Sequence, residues 1–129
     1  MKINRILYVE DDTIKYMRVV CFLKSIGIRE IESVRNAKAA MEIIEEAHSK
    51  GEDFDLIMLD MHYDFYGEND KQAGEKTMNL IREKGIETPI IFCSSQNWKI
   101  PGAFGNIFYN ERRDWESEAA ELFSKLKGM

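Results

Sequence analysis

The chain has 129 residues, of which 44% are hydrophobic and 32% charged, and its formal net charge is −5. This length fits one domain with a buried core, and we expect residues 1–129 to form it. The acidic balance argues against nucleic acid as a partner, because nucleic-acid binding usually requires a basic surface. No apolar run approaches the roughly 20 residues that cross a membrane, and no secretory leader pattern is present. We therefore expect a cytoplasmic protein without a membrane partner.

Apolar runs and helical patterns alternate along the chain. The first helical pattern follows an Asp12–Thr13 cap, and its apolar residues begin with Ile14 and Met17. Cys21 in this pattern and Cys93 in a later apolar run are expected to be free thiols of the core. Strands that alternate with helices predict a parallel sheet covered on both faces. The predicted strands are 6–9, 28–34, 54–60, 89–93 and 106–109, and the predicted helices are 13–26, 37–50, 74–84 and 115–126.

Polar residues end three of the predicted strands. The acidic run 10–12 follows the first strand, Asp60 ends the third, and Ser94 follows the fourth. Because ligands bind beyond the carboxyl ends of parallel strands, where the strand order reverses, we expect these side chains to converge. Clustered carboxylates raise one another's pKa values and are usually balanced by a hard divalent cation, for which Mg²⁺ is a common choice. A hydroxyl at the next strand end is suited to a phosphate oxygen.

The same segments resemble the receiver domains of bacterial response regulators, the phosphoryl-accepting modules of two-component signalling. Residues 6–12 are similar to the first strand of that family with its acidic pair, and residues 55–60 to the strand that delivers the phosphorylated aspartate. Residues 88–94 are similar to the strand that ends in threonine or serine, and Gly74 matches the glycine that opens the third helix. The resemblance spans nearly the whole chain. It implies an α/β, flavodoxin-like three-layer fold with a five-stranded parallel sheet in the order 2-1-3-4-5.

The resemblance also implies roles for individual residues. Asp60 would accept a phosphoryl group from a phosphohistidine or a small acyl phosphate, so that any catalysis is at most autocatalytic phosphoryl acceptance. Asp11 and Asp60 would bind Mg²⁺ directly, and the backbone carbonyl of His62 would be a third ligand. Glu10 would act on the metal through a water molecule or directly. Ser94 would donate a hydrogen bond to a phosphoryl oxygen.

Two positions depart from the family pattern. Tyr109 stands where the family has an invariant lysine, and Asn106 stands where it has an aromatic switch residue. The charge of the missing lysine could come from nearby loops, and an arginine is a capable phosphate ligand. The departures affect the half of the site that would sense a bound phosphoryl group. The candidate substitutes for the lysine are Lys99, Arg112 and Arg113.

Two connections depart from the pattern as well. Residues 95–105 contain a proline and two glycines, so the sequence predicts that the fourth helix is shortened or lost. The loop at 61–70 is longer than usual, lacks the family's proline and carries three aromatic residues. Three interpretations of this loop stay open: a gate over the site, a partner surface, or a mobile insert.

Three functions are compatible with these residues. The first is a stand-alone receiver that is phosphorylated by a sensor histidine kinase or a phosphotransfer protein and signals by binding an unidentified downstream protein, as a monomer or a homodimer. The second is a pseudo-receiver, an interaction module that does not depend on phosphorylation. The third is a metal-dependent nuclease or phosphatase that uses the same acids, which the acidic composition disfavours for a nucleic-acid substrate.

Overall fold

The structure, a computed structural model, describes residues 1–129. None of its helices combines the length and the apolarity that a membrane crossing requires. The helices are α1 (Thr13–Ser25), α2 (Ala37–Ser49), α3 (Ala73–Glu83) and α4 (Trp115–Lys127). The strands are β1 (Arg5–Val9), β2 (Glu30–Val34), β3 (Leu56–Leu59), β4 (Tyr63–Phe65), β5 (Glu68–Asp70), β6 (Ile90–Ser94) and β7 (Gly105–Phe108).

Five of the strands form one parallel sheet in the order β2-β1-β3-β6-β7. This is the predicted order, because β6 and β7 correspond to the fourth and fifth strands that the sequence indicates. Alternate residues of β1 point to opposite faces, so that Ile6 and Tyr8 join one apolar cluster and Leu7 and Val9 join the other. Helices α1 and α4 pack on the first cluster, and α2 and α3 on the second. The flavodoxin-like three-layer architecture is therefore confirmed.

Helix α1 begins as predicted but presents a different face to the core. Asp12 caps it by accepting hydrogen bonds from the backbone N–H groups of Ile14 and Lys15, at 3.0 and 3.1 Å. Ile14 and Met17 are both 62% exposed, whereas Lys15 is buried. Cys21 is exposed, so its assignment to the core was wrong; Cys93 is buried as expected. The buried face of α1 is therefore not the face that its apolar residues predicted.

The segment after β3 forms a hairpin of β4 and β5. Its turn consists of Tyr66 and Gly67, whose φ angles of 54° and 107° match the left-handed backbone that a tight two-residue turn requires. Tyr63 is fully buried, and its hydroxyl donates to the Thr77 hydroxyl on α3 at 2.8 Å. The hairpin is therefore anchored to the domain, while Tyr66 at its tip is 52% exposed.

The connection between β6 and β7 contains no helix, as the sequence predicted. The backbone N–H of Phe104 donates to the carbonyl of Ile90 at 2.8 Å and leads the chain into β7. Asn106 Nδ2 donates to the carbonyl of Gln96 at 3.3 Å, so this connection is tied to the strand that follows it. The loss of the fourth helix leaves a short loop beside the cleft described below.

Candidate functional site

A cleft of about 840 Å³ opens at the carboxyl ends of β1, β3 and β6. The cleft lies where the strand order reverses, because β1 has β2 on one side and β3 on the other. The structure brings all of the predicted site residues to this one cleft. These residues are Glu10, Asp11, Asp60, His62 and Ser94.

Backbone hydrogen bonds fix the acidic residues at the ends of their strands. The N–H of Glu10 donates to the carbonyl of Val34, and the N–H of Asp60 donates to the carbonyl of Val9, both at 3.0 Å. Carboxylate oxygens of Glu10, Asp11 and Asp60 all lie within 4.8 Å of one another. Three acidic side chains this close require a nearby positive charge.

Lys15 on α1 supplies such a charge, and the sequence analysis did not identify it. Its Nζ forms a salt bridge with Glu10 Oε1 at 2.8 Å, and it donates hydrogen bonds to Asp60 Oδ1 at 3.1 Å and to the carbonyl oxygen of Cys93 at 2.6 Å. Three oxygen atoms therefore surround the ammonium group. The Lys15 side chain is only 9% exposed. It is therefore an enclosed cation that joins the ends of β1, β3 and β6.

The environment shifts the pKa values of this pair. Burial raises the pKa of Glu10 to about 7, and the Asp60 carboxylate acts in the same direction, whereas the Lys15 ammonium opposes the rise. Burial by itself would lower the pKa of Lys15, but the acidic groups around it hold that pKa above its ordinary value. Lys15 is thus an ammonium at neutral pH.

The expected substitutes for the family's lysine lie elsewhere, which corrects that prediction. Arg113 pairs with Glu118 and donates to the carbonyl of Phe108 at 2.9 Å. Lys99 and Arg112 are exposed, and none of the three lines the cleft. Lys99 and Arg112 directly follow Trp98 and Glu111, which line the cleft, but their own side chains are not part of its lining.

Tyr109 takes the position of the missing lysine at the end of β7. Its ring lies under the ammonium of Lys15, with 5.8 Å between Nζ and the ring centroid. The cationic side chain of the cleft that contacts this ring thus comes from α1. The Tyr109 hydroxyl is buried and has no hydrogen-bond partner, and Asn106 Oδ1 in β7 is unpartnered as well.

The oxygen donors of the cleft fit a hard divalent cation such as Mg²⁺. Asp11 is exposed, and the Asp60 side chain is 14% exposed, so both can reach a metal ion that enters from solvent. Glu10 is less available. Its Oε1 forms a salt bridge with Lys15 and accepts from the Tyr8 hydroxyl, both at 2.8 Å, and its Oε2 accepts from the backbone N–H of Asp12 at 3.3 Å. Direct coordination through Oε1 would require Lys15 to move.

Ser94 lies on the opposite side of the cleft from Asp11. Its Oγ accepts hydrogen bonds from the backbone N–H of Gln96 at 3.2 Å and from Trp98 Nε1 at 3.1 Å. A hydroxyl can accept two hydrogen bonds and donate one, and the Ser94 hydrogen has no acceptor in the protein. The residue is thus poised to donate to an oxygen of a ligand. Trp98 lines the same cleft and was not assigned a role from the sequence.

Gly74 fixes how closely α3 approaches the end of β3. A Cβ at this position would lie 2.3 Å from the Asp60 carbonyl oxygen and 2.9 Å from Cε1 of Phe92. Real Cβ contacts are essentially never this short, so only glycine fits. The predicted correspondence of Gly74 to the glycine that opens the third helix thus has a steric basis beside Asp60.

The fold is that of a response regulator receiver domain: a five-stranded parallel sheet in this order, with acidic residues beyond β1 and β3 and a hydroxyl at the end of β6. No protein-family model and no curated protein sequence matches the chain. The likeness to receiver domains is therefore carried by the three-dimensional structure.

Solved receiver domains match the structure over nearly its whole length. A response regulator from Thermotoga maritima, solved in complex with Mg²⁺ and BeF, has 22% identity and a TM-score of 0.70, and the match covers 96% of this chain and 99% of that one. The N-terminal domain of a three-domain response regulator, sensory box and GGDEF protein from Carboxydothermus hydrogenoformans has 21% identity and a TM-score of 0.68, over 95% and 93% of the two chains. A chemotaxis response regulator of Vibrio cholerae has 17% identity and a TM-score of 0.68, over 97% and 99%.

Proposed function

We propose that this chain is a response regulator receiver that accepts a phosphoryl group on Asp60 in a Mg²⁺-dependent reaction. The observation that carries the proposal is the arrangement of three groups around one cleft. Asp60 lies beside the Asp11 carboxylate, one of its oxygens is held by Lys15, and the unpaired hydroxyl hydrogen of Ser94 is available on the other side. Together these groups provide an attacking carboxylate, a cation site and a phosphoryl contact.

The reaction needs no further nucleophile or base. An Asp60 carboxylate oxygen forms a bond to the phosphorus of a phosphohistidine or a small acyl phosphate, and the bond from phosphorus to the donor's nitrogen or oxygen breaks. The electron pair of the broken bond leaves with the donor. Lys15 holds Asp60 through Oδ1, which leaves Oδ2 without a hydrogen bond from the protein and available for the attack.

A divalent cation is the second requirement of the proposal. Asp11, Asp60 and the backbone carbonyl of His62 would hold Mg²⁺, with Glu10 acting through a water molecule. A bound Mg²⁺ would neutralise charge on the transferring group, which is the main demand of phosphoryl transfer. The Thermotoga maritima regulator was solved in complex with Mg²⁺ and BeF, and this supports the choice of metal.

Signalling would follow from a contact made after transfer. Ser94 would donate its free hydroxyl hydrogen to a phosphoryl oxygen, and its bonds from Gln96 and Trp98 would carry the change into the connection between β6 and β7. We propose a sensor histidine kinase or a phosphotransfer protein as the donor and a downstream protein as the receiver of the signal, in the cytoplasm. This altered connection is the natural place for such a protein to bind.

The experiment is phosphorylation by a small molecule. The purified chain is incubated with Mg²⁺ and acetyl phosphate, and its intact mass is measured with and without a chelator of divalent cations. We expect the added mass of one phosphoryl group, only when Mg²⁺ is available. Asp60→Asn should remove the added mass, whereas Asp64→Asn, which changes an acid of the hairpin outside the cleft, should retain it. An unmodified wild-type chain would contradict the proposal.

One observation favours a second function, the pseudo-receiver. Lys15 already neutralises part of the acidic cluster, and Tyr109 brings no charge to the phosphoryl side. A site balanced in this way can be stable without a metal ion or a phosphoryl group. The second function replaces the first under two conditions: the wild-type chain gains no phosphoryl mass, and the wild-type chain and the Asp60→Asn variant bind a protein partner equally well.

A further inference from the structure

Lys15 does more in this cleft than balance the charge of the buried Glu10. Its ammonium contacts Asp60, the residue on which both the metal site and phosphoryl transfer depend, at 3.1 Å. Three oxygen atoms surround it, so its position is fixed by Glu10, Asp60 and the carbonyl of Cys93. A fixed positive charge beside a metal-binding carboxylate repels a metal ion that approaches the same group.

Two cations would then share one acidic cluster. A Mg²⁺ ion binds carboxylate oxygens at about 2.1 Å, so an ion on the Asp60 oxygen that Lys15 contacts would lie within roughly 5 Å of Nζ. The Lys15 side chain is 9% exposed, so little water screens the repulsion between these charges. Glu10, another acid of the cluster that a metal ion could use, also forms a salt bridge with Lys15 at 2.8 Å.

We propose that Lys15 is a built-in counter-cation that competes with divalent metal ions for Asp60, so that metal binding requires the ammonium to loosen or release its contact with this carboxylate. The inference rests on the proposed function insofar as Asp60 is taken as a metal ligand. It goes beyond that function by assigning to α1 a residue that sets how tightly the metal binds. Metal affinity would thus be limited by the chain's own charge.

The first test compares Mg²⁺ affinity, measured by isothermal titration calorimetry on the unphosphorylated protein, between the wild-type chain and Lys15→Met. We expect the variant to bind Mg²⁺ at least about tenfold more tightly, because the competing charge is gone. Lys71→Met is the matched control, since Lys71 lines the same cleft but is exposed. It removes the same charge from the cleft and should change the affinity by less than about twofold, because solvent screens an exposed charge.

A second pair of variants keeps the test decisive if Lys15→Met does not fold. Glu10→Gln and the double variant Glu10→Gln/Lys15→Met both retain Asp11 and Asp60, and the double variant removes the buried Glu10 charge together with that of Lys15, so that only Asp60 loses its partner. The difference in their Mg²⁺ affinities therefore reports Lys15 alone. We expect the double variant to bind Mg²⁺ more tightly than Glu10→Gln.

The outcomes separate this inference from the proposed function. Unchanged or weaker Mg²⁺ binding on removal of Lys15 would overturn the inference, even if acetyl phosphate still modifies Asp60 in the wild-type chain. Tighter binding on removal of Lys15 would support it, even if the wild-type chain binds Mg²⁺ too weakly to be phosphorylated. The second result would contradict the proposed function while leaving the role of Lys15 intact.

Discussion

The two sides of the cleft differ in how far their polar groups are satisfied by the protein itself. On the acidic side, Glu10 accepts two hydrogen bonds and forms a salt bridge with Lys15, which donates two hydrogen bonds to other oxygens. On the side of β6 and β7, the hydroxyl hydrogen of Ser94 has no acceptor, and the buried polar atoms Asn106 Oδ1 and Tyr109 Oη have no partner. The buried pair of Glu10 and Lys15 is thus satisfied before any ligand binds, whereas the side of β6 and β7 has polar atoms without partners.

This difference indicates where a ligand would change the structure. A saturated buried network can respond only by breaking a contact, and each lost contact of a buried charge is costly. Unpaired polar groups can instead gain a hydrogen bond when a ligand or a partner arrives. We therefore expect the acidic side to determine stability and metal affinity, and the side of β6 and β7 to determine the response.

The largest effect is expected from breaking the buried ion pair. Lys15→Met leaves Glu10 and Asp60 without their counter-charge, and removing one partner of a buried pair typically costs about 3–5 kcal/mol. Urea unfolding in a chelator of divalent cations should show a loss of this size. Adding Glu10→Gln to Lys15→Met should recover part of the loss, because the buried negative charge is then removed too. A loss below about 1 kcal/mol for Lys15→Met would mean that the buried pair of Glu10 and Lys15 is not satisfied in the way described.

The next largest loss of stability is expected where an added methyl group would clash with the backbone. Gly74→Ala would force a Cβ against the backbone oxygen of Asp60 at 2.3 Å, and we expect a loss of about 3 kcal/mol, since a buried backbone cannot easily move. Gly105→Ala at the start of β7 meets only the end of the Leu122 side chain, at 2.7 Å, which can rotate away. It should cost about 1 kcal/mol or less. Equal losses in thermal or urea unfolding would contradict the distinction between a clash with backbone and a clash with a flexible side chain.

The sequence was sufficient for the acidic side. Asp11 and Asp60 were found because they follow short buried strands, and the carboxyl ends of parallel strands meet at one edge of a sheet. Gly74 was found by its place at the start of a helix. These predictions depend on the sequence of strands, helices and polar residues along the chain. This chain shares that sequence of elements with solved receiver domains to which it is only about a fifth identical.

Lys15 was missed for a physical reason. Ile14 and Met17 are apolar and suggest the inner face of α1, but both lie on the surface, and the true inner face runs through Lys15, Val19 and Leu23. A cation in the first turn of a helix is unfavourable, because the positive end of the helix dipole lies there. That signal, next to an acidic run, points to a lysine that is held by carboxylates.

The hairpin of β4 and β5 was also not predicted from the sequence. Its turn places Tyr66 at a φ of 54°, a conformation that is rare for this residue, so Gly67 was the only clear sign of a tight turn. The loss of the fourth helix was predictable, by contrast, because a proline and glycines interrupt the segment.

Two tyrosine-to-phenylalanine substitutions compare the two sides by removing one oxygen atom from each. Tyr8→Phe removes a hydroxyl that donates to Glu10 at 2.8 Å, and a hydrogen bond to a charged group is worth about 1.5–3 kcal/mol. Tyr109→Phe removes a buried hydroxyl without a partner, so stability should be unchanged or should rise by up to about 1 kcal/mol. The measurement is the free energy of unfolding in urea. A larger loss for Tyr109→Phe than for Tyr8→Phe would reverse the assignment of the side whose polar groups are satisfied.

The smallest effect on stability is expected at Trp98. Trp98→Phe removes the Nε1 donor to Ser94 but leaves the bond from the backbone of Gln96, so the loss should be about 1 kcal/mol or less. Trp98 is useful as a fluorescence reporter, because the chain has two tryptophans and the other, Trp115, is buried in the core at the start of α4.

Addition of acetyl phosphate and Mg²⁺ should change the fluorescence of the wild-type chain, since a new acceptor for Ser94 alters the group that the Trp98 indole contacts. The change should be absent from Trp98→Phe and reduced in Ser94→Ala. If the fluorescence change persists in Trp98→Phe, the signal comes from Trp115, and the response then passes through the core rather than through the side of β6 and β7.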